Sequence, residues 1–145
     1  MTDLPDFDLS GFTAYRLAVA AQKLSDELAK LYRAQFGLTV PEWRILAHLT
    51  QDDGASVRDI EAKVVMEKSK VSRAASRLED SGYIEKLVNE DDRRLVRLKL
   101  TAKGHAMLAD LLPQARAFQA EVEATIGADL PAFEQAIDKL LEREK

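Results

Sequence analysis

Between Lys68 and Arg77 the chain carries Lys68, Lys70, Arg73 and Arg77 interleaved with Ser69, Ser72 and Ser76, and no acid. Long cations beside small hydroxyls suit contact with a polyanion. Ammonium and guanidinium groups neutralise phosphates or donate to base edges, while serines allow close approach of the backbone. The ordinary alternative is a solvated helix face. A second cationic point, Asp92-Arg93-Arg94, ends a polar stretch that begins at Asn89.

The overall formal charge of −4 argues against nucleic acid only if charge is spread evenly. It is not. Residues 68–103 hold ten Lys and Arg against six Asp and Glu, so the rest of the chain carries an excess of eight acids.

Several chemistries are excluded by composition. With no cysteine there is no disulfide, thiolate metal site or cysteine nucleophile. His48 and His105 are isolated and suggest no metal centre. There is no Gly-rich phosphate loop, His-Glu-x-x-His or serine nucleophile elbow, so neither an enzyme nor a cofactor is expected. At 145 residues, one structural domain is expected. The acidic start, Met1 to Phe7, lacks a basic region followed by an apolar run, and no apolar stretch is long enough to span a membrane. The expected location is cytoplasmic.

The elements that must position these residues follow from periodicity. Leu17, Ala21, Leu24, Leu28 and Leu31 recur at helical spacing between Phe12 and Phe36, with Gly37 as a stop. Thr39-Val40-Pro41-Glu42 has the form of a capping box opening a helix through Trp43, Ile45, Leu46 and Leu49. Ser56 opens a short helix with Val57, Ile60 and Val64 inward. A second short helix follows, with Ser69 as N-cap and Val71, Ala74, Ala75 and Leu78 on one buried face. Ser72, Arg73, Ser76 and Arg77 then fall on the opposite side. Gly82 ends that helix, and Tyr83 to Val88 and Leu95 to Leu100 alternate as two strands. Thr101 caps a long helix with Leu108, Leu111, Ala115, Phe118 and Val122 as a seam, which Pro113 should bend without breaking. The segment 127–131 is a boundary, and Leu130, Phe133, Ile137, Leu140 and Leu141 form the last amphipathic helix.

Two short helices at a tight turn, the second basic and serine-bearing, followed by a hairpin, predict a winged helix-turn-helix in a mainly α fold with a small β-hairpin wing. The sequence resembles the MarR family of bacterial winged-helix regulators in three segments: 38–46, Lys68 to Gly82, and Asp92-Arg93-Arg94 running into Leu100-Thr101-Ala102-Lys103-Gly104. Val65-Met66 at the turn without a glycine, and Glu61 where a small residue is frequent, depart from the commoner pattern.

The resemblance implies three segments within the one domain: an N-terminal dimerisation helix at 1–36, a DNA-binding winged helix-turn-helix at 37–104, and C-terminal dimerisation helices at 105–145. It also implies a homodimer on a pseudo-palindromic operator, acting as a repressor. Lys68, Ser69, Lys70, Ser72, Arg73, Ser76 and Arg77 would face double-stranded DNA. Arg94 would enter the minor groove from the wing tip, with Asp92 orienting the wing. The terminal heptad-like stripes independently ask for helical partners.

Release by a small effector, often aromatic or carboxylated in such regulators, is a further implication of the resemblance, with Tyr15, Arg16, Trp43 and His48 as candidate wall residues. Each has a plainer reading: Arg16 as a salt-bridge cation, Tyr15 and Trp43 as core or interface aromatics, His48 as a packed or surface histidine. The rival function is a winged-helix module that docks a protein instead of DNA.

Overall fold

The first stretch of helical periodicity forms α1 (Thr13–Phe36) in the computed structural model, which describes residues 3–144. The helix ends at Gly37, whose φ of 66° is a left-handed stop and whose N–H donates to the Arg33 carbonyl at 3.0 Å. Only Ala29 and Tyr32 of its 24 residues are buried. Leu17 and Leu24 of the expected stripe are exposed, and Leu28 and Leu31 are half-buried.

The capping box forms as read from the sequence and opens α2 (Val40–Gln51). Thr39 Oγ1 accepts from the Glu42 N–H, and the Glu42 carboxylate accepts from the Thr39 N–H at 3.1 Å. Ser56 caps α3 (Val57–Lys63), accepting from the Asp59 N–H at 3.1 Å. Ile60 is buried, whereas Val57 and Val64 are half-buried.

Helix α4 (Lys68–Asp80) starts earlier than its sequence suggests. Ser69 lies inside the first turn and is not the cap; Glu67 takes that place without a side-chain bond, its carbonyl accepting from Lys70 and Val71 at 3.0 and 3.2 Å. The bond from the Val71 N–H to the Glu67 carbonyl encloses Ser69 in the first turn, which leaves its hydroxyl no cap position to fill. Val71, Ala74, Ala75 and Leu78 are all buried, so the expected inward face holds.

Strands β1 (Ile84–Val88) and β2 (Val96–Leu100) pair antiparallel, from Ile84 opposite Leu100 to Val88 opposite Val96. A piece of chain with no strand signature completes the edge of β2. Gly54 donates to the Leu98 carbonyl, Leu98 donates to the Ala55 carbonyl, both at 2.9 Å, and Ser56 bridges Arg97. The core beneath holds Leu38, Ile45, Leu46, Leu49, Ile60, Leu78, Ile84 and Leu98, each at most 2% exposed. Burial of each large side chain contributes about 1.5–3 kcal/mol.

Thr101 joins the hairpin to α5 (Ala102–Ile126). Its hydroxyl donates to the Gly82 carbonyl at 2.6 Å and accepts from the Gly104 N–H at 3.0 Å. Helix α5 runs unbroken through Pro113, as its stripe predicts. Gly127, with φ of 67°, opens a 3-10 turn (Gly127–Asp129) that leads into α6 (Leu130–Leu141). The chain forms two compact units, one up to Leu108 and one from Ala109. No helix among the described residues is long and apolar enough to cross a membrane.

Candidate nucleic-acid interface

Because Val71, Ala74, Ala75 and Leu78 point inward, the opposite face of α4 is presented outward. Lys68, Ser69, Lys70, Ser72 and Arg73 are exposed on it. At 13 residues the helix is about 20 Å long and about 10–12 Å across with side chains, a fit to a major groove about 12 Å wide.

Two members of the expected set are engaged by protein. Ser76 Oγ accepts from Lys86 Nζ of β1 at 3.0 Å, and that ammonium also lies 3.7 Å from Glu79. Arg77 Nε lies 3.6 Å from Glu42 Oε1, which ties α4 to α2.

The wing tip is built by two side chains. Asn89 Oδ1 accepts from the Asp91 and Asp92 N–H groups at 2.8 and 3.1 Å, a turn closed by a side chain imitating backbone. Asp92 Oδ1 then accepts from both the N–H and Nε of Arg94, at 3.1 and 3.2 Å. Arg94 is thereby oriented through Nε while its side chain stays 82% exposed.

A groove of about 320 Å³ separates the wing from α3 and α4, lined by Arg58, Glu61, Ser72, Lys86 and Arg94 among others. Arg58 and Lys86 escaped the sequence reading. Arg58 stands one residue past the N1 position of a capped helix, and Lys86 follows strand alternation, but neither lies within the cationic run that drew attention to α4.

The four expected ligand-wall residues are not gathered within one chain. Trp43 stacks on Tyr32, with ring centroids 5.6 Å apart and planes at 21°. Tyr32 Oη and His48 Nε2 are buried without a hydrogen-bond partner among the described residues, and burial pushes the Tyr32 hydroxyl above its ordinary value of 10.0. Tyr15 and Arg16 are exposed near the other end of α1. The 17 residues from Tyr15 to Tyr32 span about 25 Å of helix. Tyr32, which sequence reasoning missed, stands four residues past Leu28 and so continues the α1 stripe.

Two short helices in tandem, the second with a basic outer face, and an antiparallel hairpin with a cation at its tip define a winged helix-turn-helix protein. The MarR family model matches residues 36–95. The transcriptional repressor MprA of Escherichia coli K12 is 30% identical over 142 residues, which cover 95% of this chain and 80% of MprA. The regulator BilQ of Clostridioides difficile strain CD3 is 35% identical over 66 residues, 46% of this chain, and the match spans only 45% of BilQ. Among solved structures, a MarR family regulator from Silicibacter pomeroyi DSS-3 superposes with a TM-score of 0.81 at 29% identity, covering 94% of this chain and 98% of that one. The chain belongs to the MarR family, whose members are transcriptional regulators and not enzymes.

Proposed function

We propose that the protein is a homodimeric repressor that binds a pseudo-palindromic operator and leaves it when a small aromatic acid binds. The observation that carries DNA binding is the exposed, acid-free stretch Lys68 to Arg77 of α4 beside an Arg94 held outward by Asp92. Lys68, Lys70, Ser69 and Ser72 meet backbone and groove, Arg73 reaches phosphate as well as base edges, and Arg94 enters the minor groove, where a planar guanidinium gains from the narrow, negative A·T-rich surface. Arg58 and Lys86 extend the positive surface between them. Repressor action is the part taken from MprA, named as a repressor. Chromosomal DNA as partner fits a cytoplasmic location.

Dimerisation through segments 1–36 and 105–145, flanking the DNA-binding segment 37–104, is supported by the apolar surface that each unit leaves uncovered. Tyr15, Leu17, Val19 and Leu24 are exposed on α1, as are Phe133, Leu140 and Leu141 on α6, and no α6 residue is buried. For the effector, the support is the Tyr32–Trp43 stack, whose Tyr32 Oη is buried without a partner among the described residues, and, further along α2, His48 Nε2, which is likewise buried without one. Tyr15 and Arg16, about 25 Å along α1, complete such a site only if the second chain supplies them.

The test is titration of a duplex selected by the protein from a randomised library, across a salt series. Arg73→Ala and Arg94→Ala are expected to weaken binding, each flattening the slope of log K against log salt by about 0.9 for every phosphate no longer neutralised. If both variants bind like the parent, or no duplex is selected, the protein-docking reading takes over. For the effector, a panel of aromatic carboxylates should contain a compound that raises the melting temperature and releases the duplex.

A further inference from the structure

Helix α4 has no side-chain cap at its N-terminus, and two of its four buried residues are alanines. A methyl group interdigitates little with a facing helix, so such a face constrains rotation about the helix axis weakly. Polar contacts from two neighbouring elements oppose that freedom: Lys86 of β1 meets Ser76 and Glu79, and Glu42 of α2 meets Arg77 from a buried position. Glu42 is only 6% exposed, and its Oε1 accepts from the Thr39 N–H at 3.1 Å and the Thr39 hydroxyl at 2.7 Å. The same oxygen lies 3.6 Å from Arg77 Nε. A carboxylate this buried needs an opposing charge as well as donors, and Arg77 brings that charge from α4. Arg77 stands about one helical turn beyond Arg73, so holding the one sets the direction of the other.

We infer that Arg77 is a positioning residue: paired with the buried Glu42 carboxylate, it sets the rotation of α4 and thereby aims Arg73 and Ser72, and it adds no phosphate contact of its own. The inference rests on the DNA-binding reading above. It carries a sign that charge alone does not. Deleting an acid beside a cationic helix strengthens attraction to any DNA, whereas loss of aim weakens binding only to the selected sequence.

Glu42→Gln separates these effects, because glutamine serves in a capping box as glutamate does while the charge that holds Arg77 is gone. Affinity is measured by fluorescence anisotropy for the library-selected duplex and for a scrambled duplex of the same composition, with melting temperatures recorded for each variant. Glu42→Gln is expected to bind the selected duplex about tenfold more weakly and the scrambled one at least as tightly as the parent. Arg77→Met should show a similar specific loss with an unchanged salt slope, and the double variant should be no weaker than Arg77→Met. The inference is overturned if Glu42→Gln keeps the parent's ratio of selected to scrambled affinity, or if Arg77→Met flattens the salt slope as Arg73→Ala does. Should Glu42→Gln fail to fold, the slope of Arg77→Met decides alone. Failure of the DNA reading is distinct: there Arg73→Ala binds like the parent, whereas a normal loss in Arg73→Ala beside an unaffected Glu42→Gln sinks only the positioning role.

Discussion

A buried hydroxyl without a partner is costly, and Tyr32 has one that finds none among the described residues. Tyr32→Phe removes the orphan oxygen and keeps the ring stacked on Trp43, so it is expected to stabilise the protein by about 1 kcal/mol in urea unfolding. If an effector uses that hydroxyl, the same variant loses the thermal shift the effector gives. The pH dependence has a definite sign. Burial favours the protonated form and raises the folded value above 10.0, so this contribution is complete below pH 10 and is lost as pH rises through the raised value. Alkaline unfolding of Tyr32→Phe should therefore fall less steeply than that of the parent. At the wing, Arg94 is exposed yet oriented because one Asp92 oxygen takes both its N–H and its Nε. Asp92 and Arg94 came as a pair from the family resemblance, and the contact they make spans only two residues. Asn89, which closes the turn before them, lay in the same polar stretch without a distinguishing signal.

The element most dependent on tight joining is the wing, because its two strands are short and its base rests on the start of α5. Gly104 is buried there, and a Cβ at this position would collide with the Tyr83 carbonyl oxygen. Backbone cannot retreat as a flexible side chain can. Gly104→Ala is expected to destabilise by about 2 kcal/mol or more, read as a lowered melting temperature. Asn89→Ala acts at the opposite end of the hairpin. It should leave the melting temperature within about 2 °C while lowering DNA affinity about threefold, because an exposed turn carries little of the folding energy but sets where Arg94 stands. Element type and order were readable throughout, since caps such as Thr39 and Ser56 and the burial stripe of α4 act over three or four residues. The start of α4 was not: Ser69 has the right chemistry for a cap, but the first turn already closes on the Glu67 carbonyl and encloses it.

For the whole molecule, the exposed apolar residues of α1 and α6 predict self-association. Analytical ultracentrifugation should give a dimer, and Phe133→Glu combined with Leu141→Glu should give a monomer, with roughly half the salt slope of the parent because a single subunit neutralises half as many phosphates. A monomeric parent would overturn the dimeric reading. By itself the sequence determined the helices, the hairpin, the outward basic face of α4 and the cation at the wing tip. All of these follow from local periodicity, capping and composition, which are written within one element. Only the tertiary structure decided that Glu42 holds Arg77, that Lys86 occupies Ser76, that 54–56 completes the edge of β2, and that Trp43 stacks on Tyr32, at the far end of α1 from Tyr15. Each joins or separates parts of the chain by distances that packing sets. A polar side chain's partner on another element depends on the spacing and rotation of both elements, and neither is encoded in the residues adjacent to it.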